Sequence, residues 1–254
     1  SFDAQNLKAL GRIHDGKSAR SAINHAQQAG FANINLDLMF GIPGQDINGV
    51  IEDARTAIAA SPHHISYYQL TIEPNTLFHR NPPRLPPDDM QYAMQQEVVD
   101  VLADSGYERY EVSAYAREGY QSRHNLNYWN FGDYLGIGAG AHSKLTGNGT
   151  VTRSWNEKQP ARYLLLIENG ETCRHPAKVD HHDLLFEFML NGLRLKQGFS
   201  LAQFEESTGL NRKRIFEELT EPIARELLII DQETLKCSDK GYLFIDEILQ
   251  HILP

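Results

Sequence analysis

Residues 33–44 read NINLDLMFGIPG, and this stretch decides the fold of the N-terminal half of the chain. Apolar side chains recur at every second position from Ile34 to Phe40, which predicts a β-strand with one apolar and one polar face. The Gly-Ile-Pro-Gly that follows predicts a turn. Because an apolar strand face packs against helices, we expect Asn35 and Asp37 to point to the opposite side, toward the strand end where α/β sheets bind ligands.

The pattern around this strand predicts alternating helices and strands. Two helical stretches precede it, and a helix, a strand and a proline-rich loop follow at residues 48–60, 64–71 and 81–87. A long helix ending at Asp104 and a strand over 107–115 complete the series. This alternation predicts an α/β fold with a parallel sheet. Residues 119–155 are rich in Gly, Asn and aromatic residues without a helical period, and we expect a long ordered loop there.

The chain changes character after residue 180. Its pattern predicts three helices, two short strands and a final helix, an order that resembles a winged-helix module. The predicted ranges of the first five elements are 181–195, 200–208, 211–227, 228–231 and 234–238. We therefore predict two domains, residues 1–175 and residues 176–254, the second small and mostly helical.

Composition limits the classes of function. The 254 residues are 41% hydrophobic and 22% charged, as in an ordinary globular protein. The net charge of −9 argues against broad attraction to nucleic acid or anionic lipid. No apolar run approaches the ~20 residues that span a bilayer, so a cytoplasmic location is expected. The two cysteines, Cys173 and Cys237, are far apart, and we expect reduced thiols, although a disulfide is formally possible.

Two charged residues are candidates for ligand binding in the N-terminal half. Asp37 is a carboxylate in an otherwise apolar strand, where it needs a partner. It could accept hydrogen bonds from ribose hydroxyls or a ligand amine, or it could make a structural hydrogen bond or ion pair. Arg12 follows Gly11 at the end of the first helix. It could grip a carboxylate in bidentate fashion, or it could stabilise the helix C-terminus.

A histidine with aromatic neighbours is the second candidate site. Residues 124–129 read HNLNYW. The imidazole of His124 could ligate a haem iron, and the rings of Tyr128 and Trp129 could pack on a flat macrocycle. The alternative is a loop histidine beside aromatic residues that only anchor the loop.

Two further motifs are weaker. Residues 136–143 read GIGAGAHS, which is typical of a phosphate-binding loop or of close backbone approach to a ligand or strand. Residues 211–214 read NRKR at the start of a predicted helix, where a winged helix would read DNA. However, residues 180–254 carry 14 acidic and 8 basic side chains, a net charge of −6, which favours a solvated basic turn.

These strings together resemble a known family. In order, the chain carries SF (1–2), LGRIH (10–14), NLDLMFGIPGQ (35–45), LTIEP (70–74), HNLNYW (124–129) and GAGAHS (138–143). This ordered set resembles the HemW-type haem chaperones, which are similar to oxygen-independent coproporphyrinogen III oxidase, over nearly the whole chain. The resemblance implies the C-terminal part of a radical S-adenosylmethionine (SAM) partial (β/α) barrel followed by the small helical domain.

The resemblance also implies cofactors and their residues. Family members bind a [4Fe-4S] cluster through a C-x-x-x-C-x-x-C motif, SAM and haem. By motif, Arg12 would contact the SAM carboxylate and Asp37 its ribose, and Thr71 and His142 would lie on its adenosine side. His124 would ligate the haem iron beside Tyr128 and Trp129. The iron–sulfur cysteines are absent, and we expect them in a segment before Ser1. We therefore expect SAM and the cluster to bind in the full-length family member and not in this chain alone, which would catalyse no SAM cleavage.

The sequence is compatible with three functions. The first is a haem chaperone that passes haem to acceptors such as respiratory enzymes, with at most transient contact with membrane-bound acceptors and none with nucleic acid. The second is a coproporphyrinogen III oxidase that uses radical SAM chemistry. The third is a winged-helix DNA-binding regulator. The first two require that the polar face around Asp37 and the loop around His124 converge on one cavity.

Overall fold

The structure is a computed structural model that describes residues 1–147 and 149–253. The chain divides into two compact units, Ser1–Ser122 and Arg123–Pro254. The domain boundary predicted near residue 175 lies inside the second unit and stays a prediction.

The first unit contains a mixed sheet with helices on one face. Its elements in chain order are α1 (Ala4–Ala9), α2 (Gly16–Gln28), β1 (Asn35–Phe40), α3 (Ile47–Ala59), β2 (His64–Gln69), α4 (Leu77–Arg80), α5 (Asp88–Asp104), β3 (Glu108–Glu111) and β4 (Ala114–Ala116). Aspartates accept hydrogen bonds from backbone N–H groups at the first turns of α1, α2 and α3. These caps satisfy donors that a helix N-terminus leaves free.

The sheet has the strand order β1-β2-β4-β3. β1 and β2 are parallel, with Asn35 opposite His64 and Asp37 opposite Ser66. β4 runs antiparallel to both β2 and β3, so the prediction of a parallel sheet is wrong for this half of it. The single strand predicted over 107–115 is instead the hairpin of β3 and β4.

The core of the first unit lies between the sheet and the helices α3 and α5. Leu38 and Phe40 of β1 are buried there, as the alternation in the sequence predicts. The other buried members of this cluster are Val50, Ala54, Ala57, Ile65, Tyr67, Met94, Val98, Leu102, Tyr107 and Tyr115. Gly41 ends β1 with a φ of +70°, a left-handed conformation that favours glycine.

The second unit contains two antiparallel sheets and several short helices. Its elements are α6 (Arg123–Trp129), β5 (His142–Gly147), β6 (Thr150–Asn156), α7 (Pro160–Glu168), β7 (Arg174–Lys178), α8 (His181–Gly192), β8 (Phe199–Ser200), α9 (Leu201–Thr208), α10 (Lys213–Glu218), α11 (Thr220–Ala224), β9 (Leu228–Asp231), β10 (Thr234–Cys237), α12 (Asp239–Leu243) and α13 (Ile245–Gln250). The strand orders are β5-β6-β7 and β8-β10-β9.

Two predictions for this unit are wrong in detail. The long loop expected over 119–155 contains the helix α6 and the strands β5 and β6. The helix expected over 211–227 is interrupted at Leu219 into α10 and α11. The strands β9 and β10 and the helices α8 and α9 lie where the sequence predicts them. Phe188 of α8 is at the centre of the unit's aromatic core, in ring contact with Phe131, Phe199 and Phe204.

Candidate functional site

The polar face of β1 is turned away from the core helices α3 and α5. Asn35 and Asp37 are exposed, whereas Leu38 and Phe40 on the opposite face are 3% exposed. The side-chain amide of Asn35 donates a hydrogen bond of 2.8 Å to Oδ1 of Asp37. Asp37 Oδ2 makes no hydrogen bond in the part of the chain that the structure describes. One carboxylate oxygen is thus held, and the other is available to a ligand.

A cleft of about 330 Å³ opens beside this face, between β1 and the segment that carries α1 and α2. Arg12, Asn35 and Asp37 are among its lining residues, and Leu7 and Ile23 contribute apolar wall. The cleft therefore combines a cation, a carboxylate and an apolar surface. Ligand pockets are typically of this size and composition, since a few polar groups orient a ligand against apolar walls.

Arg12 reaches the cleft from the end of α1. Its backbone N–H donates to the Leu7 carbonyl oxygen at 2.9 Å, which continues the helix C-terminus, while Gly11 takes a φ of +68°. The guanidinium makes no hydrogen bond or ion pair within residues 1–147 and 149–253. An unpaired guanidinium fork that lines a cleft is suited to a carboxylate ligand.

Asn35 is itself held by residues of β2 and β3. His64 Nδ1 lies 2.6 Å from Asn35 Oδ1, and His64 Nε2 lies 2.8 Å from the Tyr110 hydroxyl. His64 is 4% exposed. Burial lowers the pKa of the His64 imidazole, which the nearby charge of Asp37 opposes. Neither His64 nor Tyr110 is among the site residues predicted from the sequence.

The other two residues assigned to SAM do not line this cleft. Thr71 follows β2, is exposed, and donates a hydrogen bond of 3.0 Å to the Glu73 carboxylate. His142 is the first residue of β5 in the second unit, where it pairs with Trp155 across the sheet. The roles of Thr71 and His142 in SAM binding stay predictions.

His124 lies on α6, not in an irregular loop. Its exposed ring meets the Tyr128 ring edge-on at 4.9 Å between centroids, one helical turn away. Tyr128 in turn contacts Tyr134 at 4.7 Å. Neither ring nitrogen of His124 makes a hydrogen bond among the described residues. The imidazole therefore lies on the surface of its unit with an aromatic neighbour and with both nitrogens available.

Trp129 has a different environment. The Arg194 guanidinium lies 4.2 Å above its ring, and the indole N–H is buried with no partner among the residues that the structure describes. This stacking fixes the end of α6, so one face of the indole already has a contact. The predicted contact between Trp129 and haem is limited to the remaining face and stays a prediction.

The turn after α6 is tied to β5 by a buried lysine. Lys144 is 2% exposed, and its ammonium donates to the Phe131 carbonyl, Asp133 Oδ1 and Thr146 Oγ1 at 2.9, 2.9 and 3.0 Å. Burial alone would raise the pKa of the Asp133 carboxyl, but hydrogen bonds from Thr146 and Lys144 outweigh it and lower that pKa. These bonds position the segment that follows His124.

The glycine-rich segment 136–143 makes hydrogen bonds to other residues of its own unit. The N–H of Gly136 donates to Ser143 Oγ at 2.9 Å, and the N–H of Gly140 donates to the Glu157 carbonyl at 2.8 Å. The Asn156 amide donates to the Gly138 carbonyl at 2.8 Å. The first two bonds use N–H donors that a phosphate would need, and the bonds to Ser143 of β5 and from Asn156 of β6 support the interpretation as close backbone approach to a strand.

The basic turn at 211–214 is largely neutralised. Arg212 forms ion pairs with Glu205 and Glu233, and the first of these is 2.7 Å long. Arg214 donates to the His181 carbonyl at 2.7 Å and lies 3.6 Å from Glu218. Guanidinium groups paired in this way offer little positive charge to a DNA phosphate.

The chain does not have the ligands of an iron–sulfur cluster. Its two cysteines, Cys173 and Cys237, are both free, and Cys237 is buried. Burial raises the pKa of the Cys237 thiol to about 12, which disfavours the thiolate that a metal requires. Among the described residues, no group of three or more His, Cys, Asp or Glu side chains could hold a metal ion. Within the same residues, no helix has the length and apolar character needed to span a membrane.

Known proteins align with this chain along its whole length, and one family model matches its C-terminal part. The model of the HemN C-terminal domain matches residues 179–244. The heme chaperone HemW of Haemophilus influenzae is 42% identical over 254 residues, and that of Escherichia coli is 40% identical. The alignment covers 100% of this chain in both cases, and the chain spans 65% and 66% of the lengths of these relatives.

One solved structure shows the fold. Coproporphyrinogen III oxidase (HemN) from Escherichia coli, described as a radical SAM enzyme, superposes with a TM-score of 0.75 over 99% of this chain and 62% of its own. The sequence identity of 20% limits this likeness to the fold. The chain thus has the predicted α/β fold, the C-terminal part of a radical-SAM partial barrel followed by a winged-helix-like domain. The heme chaperone HemW of Lactococcus lactis is 30% identical over 258 residues and is covered to 67% of its length by this chain, so the chain belongs to the HemW family.

Proposed function

We propose that this chain is the haem-binding part of a haem chaperone, with His124 as an iron ligand. The relatives named heme chaperone HemW support the class of function. The observation that carries the residue assignment is the exposed imidazole of His124, which has no hydrogen bond among the described residues and an aromatic ring at 4.9 Å. A neutral imidazole nitrogen binds haem iron only if no other group occupies it.

The neighbours of His124 have separate roles in this proposal. Tyr128 is half-buried between His124 and Tyr134, so its ring can support a macrocycle without leaving the helix. Trp129 anchors α6 through Arg194 and offers at most one face to the haem. Haem is the cargo of such a protein, so an exposed ligand suits both uptake and release.

We also propose that this chain binds SAM, which departs from the expectation that a chain without the cluster segment does not bind it. In the cleft beside β1, Arg12 would hold the SAM carboxylate and Asp37 would accept hydrogen bonds from ribose hydroxyls. The residues fit the ligand because a guanidinium and a carboxylate oxygen without partners among the described residues line the same 330 Å³ cleft. Beside an iron–sulfur cluster, bound SAM supplies one-electron chemistry, and this chain holds no such ligand set. Thr71 and His142 are proposed as further contacts on the adenosine side.

We propose transfer of haem to acceptors such as respiratory enzymes in the cytoplasm, with at most transient contact with membrane-bound acceptors. No specific observation favours a coproporphyrinogen oxidase, because the likeness to that enzyme extends to the fold alone. The ion pairs of Arg212 give a DNA-binding regulator no support.

Haem titration of the purified chain tests the proposal. We expect haem to give the wild-type chain a shifted Soret band, and the His124→Ala variant to lose that band. The matched control is His182→Ala, which removes another exposed histidine of the same unit, 68% exposed, and should leave the band unchanged. An unchanged spectrum and affinity in His124→Ala would defeat the ligand assignment.

A further inference from the structure

A chain of hydrogen bonds extends behind Asp37 across the polar face of the sheet in the first unit. Asn35 donates to Asp37 at 2.8 Å, His64 lies 2.6 Å from Asn35, and Tyr110 lies 2.8 Å from His64. This chain of hydrogen bonds begins at the exposed carboxylate of Asp37 and ends at His64 and Tyr110, which are 4% and 8% exposed. It therefore connects the surface of the cleft to the interior of the unit.

Small residues on the intervening strand make this connection possible. Ala116 of β4 lies opposite His64, and Ala114 lies opposite Ser66. Both alanines are 1% exposed and carry no side chain beyond Cβ. The Tyr110 side chain of β3 can therefore cross β4 and reach the imidazole, where the two rings meet edge-on at 5.6 Å.

The direction of each bond follows from the donors and acceptors available. An ionised Asp37 only accepts, so the NH₂ group of Asn35 must face it and the amide oxygen of Asn35 must face His64. His64 Nδ1 must then carry the proton. The Ser66 hydroxyl also donates to Asn35 Oδ1, at 3.3 Å, which fixes the same amide orientation.

The buried end of this chain of hydrogen bonds agrees with a neutral imidazole. If His64 carries its single proton on Nδ1, then Nε2 accepts from the Tyr110 hydroxyl. The Tyr110 oxygen can at the same time accept the backbone N–H of Ser122, at 3.3 Å. Burial, which disfavours the charged imidazole, acts in the same direction. All three hydrogen bonds are thus donated in the direction of Asp37.

We propose that Asn35 and His64 are positioning residues that hold one oxygen of Asp37 and leave the other directed to a ligand in the cleft. This inference rests on the proposed SAM site. An exposed aspartate on an edge strand would otherwise sample several rotamers, and binding would have to fix one of them. The hydrogen bonds fix that rotamer before the ligand binds. Because their donors are neutral, the Asp37 carboxylate keeps its charge for the ribose hydroxyls.

Calorimetric titration of the full chain with SAM tests the inference. His64→Leu removes both bonds of the imidazole, and we expect affinity to fall about tenfold, as for other partners that orient a ligand-binding side chain. His64→Asn places an amide donor where Nδ1 lies, so its affinity should stay within about threefold of wild type. Both variants lose the bond to Tyr110 and should show similar thermal stability.

A second pair of variants covers the case in which His64→Leu does not fold. Asn35→Ala removes the donor to Asp37 from an exposed position and should weaken SAM binding about tenfold. Asn33→Ala removes an exposed asparagine that precedes β1 and should leave affinity unchanged. Nitrogen-15 NMR of the wild-type chain should find the proton of His64 on Nδ1.

The outcomes separate this inference from the proposed function. If the wild-type chain binds SAM and the folded His64→Leu and Asn35→Ala variants bind it with equal affinity, the positioning role alone is overturned. If the proton of His64 is found on Nε2, the hydrogen bonds do not run toward Asp37 as inferred, and the positioning role of His64 is overturned. A wild-type chain that binds no SAM overturns the proposed SAM site and the inference with it, while the haem titration of His124 is unaffected.

Discussion

Replacement of the buried Lys144 by methionine should destabilise the second unit measurably. The ammonium donates three hydrogen bonds, to Phe131, Asp133 and Thr146. A hydrogen bond to a charged group contributes about 1.5–3 kcal/mol, and three such bonds give an upper limit well above the net effect. Two terms reduce it. Methionine fills the volume without the penalty of burying a charge, and Asp133 is 39% exposed, so water replaces part of its lost partner. We therefore expect a net loss of about 2 kcal/mol in the free energy of unfolding.

Tryptophan fluorescence during urea unfolding measures this loss. The two tryptophans, Trp129 and Trp155, both lie in the second unit, so their fluorescence reports on that unit alone. With an m-value of about 2 kcal/mol per molar urea, the midpoint should fall by about 1 M. The matched control is Lys196→Met, which removes an exposed lysine paired with the 95%-exposed Asp239 and should lower stability by less than about 0.5 kcal/mol. Equal midpoints for the two variants would refute the assignment of Lys144 as the residue that ties the turn to β5.

Asp37, the two cysteines and Asp133 can each be tested separately. Asp37→Asn should weaken SAM binding by at least about tenfold in calorimetry without a change in thermal stability, and Glu52→Gln is a control; equal affinity would remove Asp37 from the site. Iodoacetamide at pH 8 should modify Cys173 faster than Cys237, whose thiol has its pKa raised to about 12 by burial, and faster labelling of Cys237 in mass spectrometry would contradict that burial. The hydrogen bonds that lower the Asp133 pKa contribute stability above its unfolded value of 3.8, and this stability is lost as the pH falls through the folded value. Urea midpoints should therefore drop at acid pH less steeply in Asp133→Asn than in wild type, and parallel curves would contradict this.

Periodicity in the sequence predicts the core of the first unit. Leu38 and Phe40 pack on α3 and α5 as their alternation indicates, and Asp37 lies on the opposite face. The β3–β4 hairpin was missed because its turn, Val112–Ser113, contains no Gly, Asn or Pro. The turn is held instead by side chains, since Arg109 donates to the Val112 carbonyl at 2.6 Å. A contact of that kind is invisible to local turn propensities.

The helix α6 was missed for a related reason. Two asparagines and two aromatic residues among its seven positions give poor intrinsic helix propensity. Its end is fixed by the stacking of Trp129 on Arg194, a residue 65 positions later in the chain, and tertiary contacts of this kind override propensity.

The candidate site was predicted in part. Motif resemblance selected Arg12 and Asp37, and the structure places both on one cleft. His64 was overlooked because its partners Asn35 and Tyr110 are 29 and 46 positions away. The same alternation that selected Asp37 could have found it, because His64 and Ser66 alternate with the buried Ile65 and Tyr67 along β2. The convergence of Asp37 and His124 on one cavity stays a prediction.

The most direct test of the account is a crystal structure of the chain with bound haem, phased on the anomalous signal of iron. We expect an iron peak within bonding distance of a ring nitrogen of His124, with the Tyr128 ring beside the macrocycle. An iron peak coordinated by any other residue, with the His124 imidazole free, would contradict it.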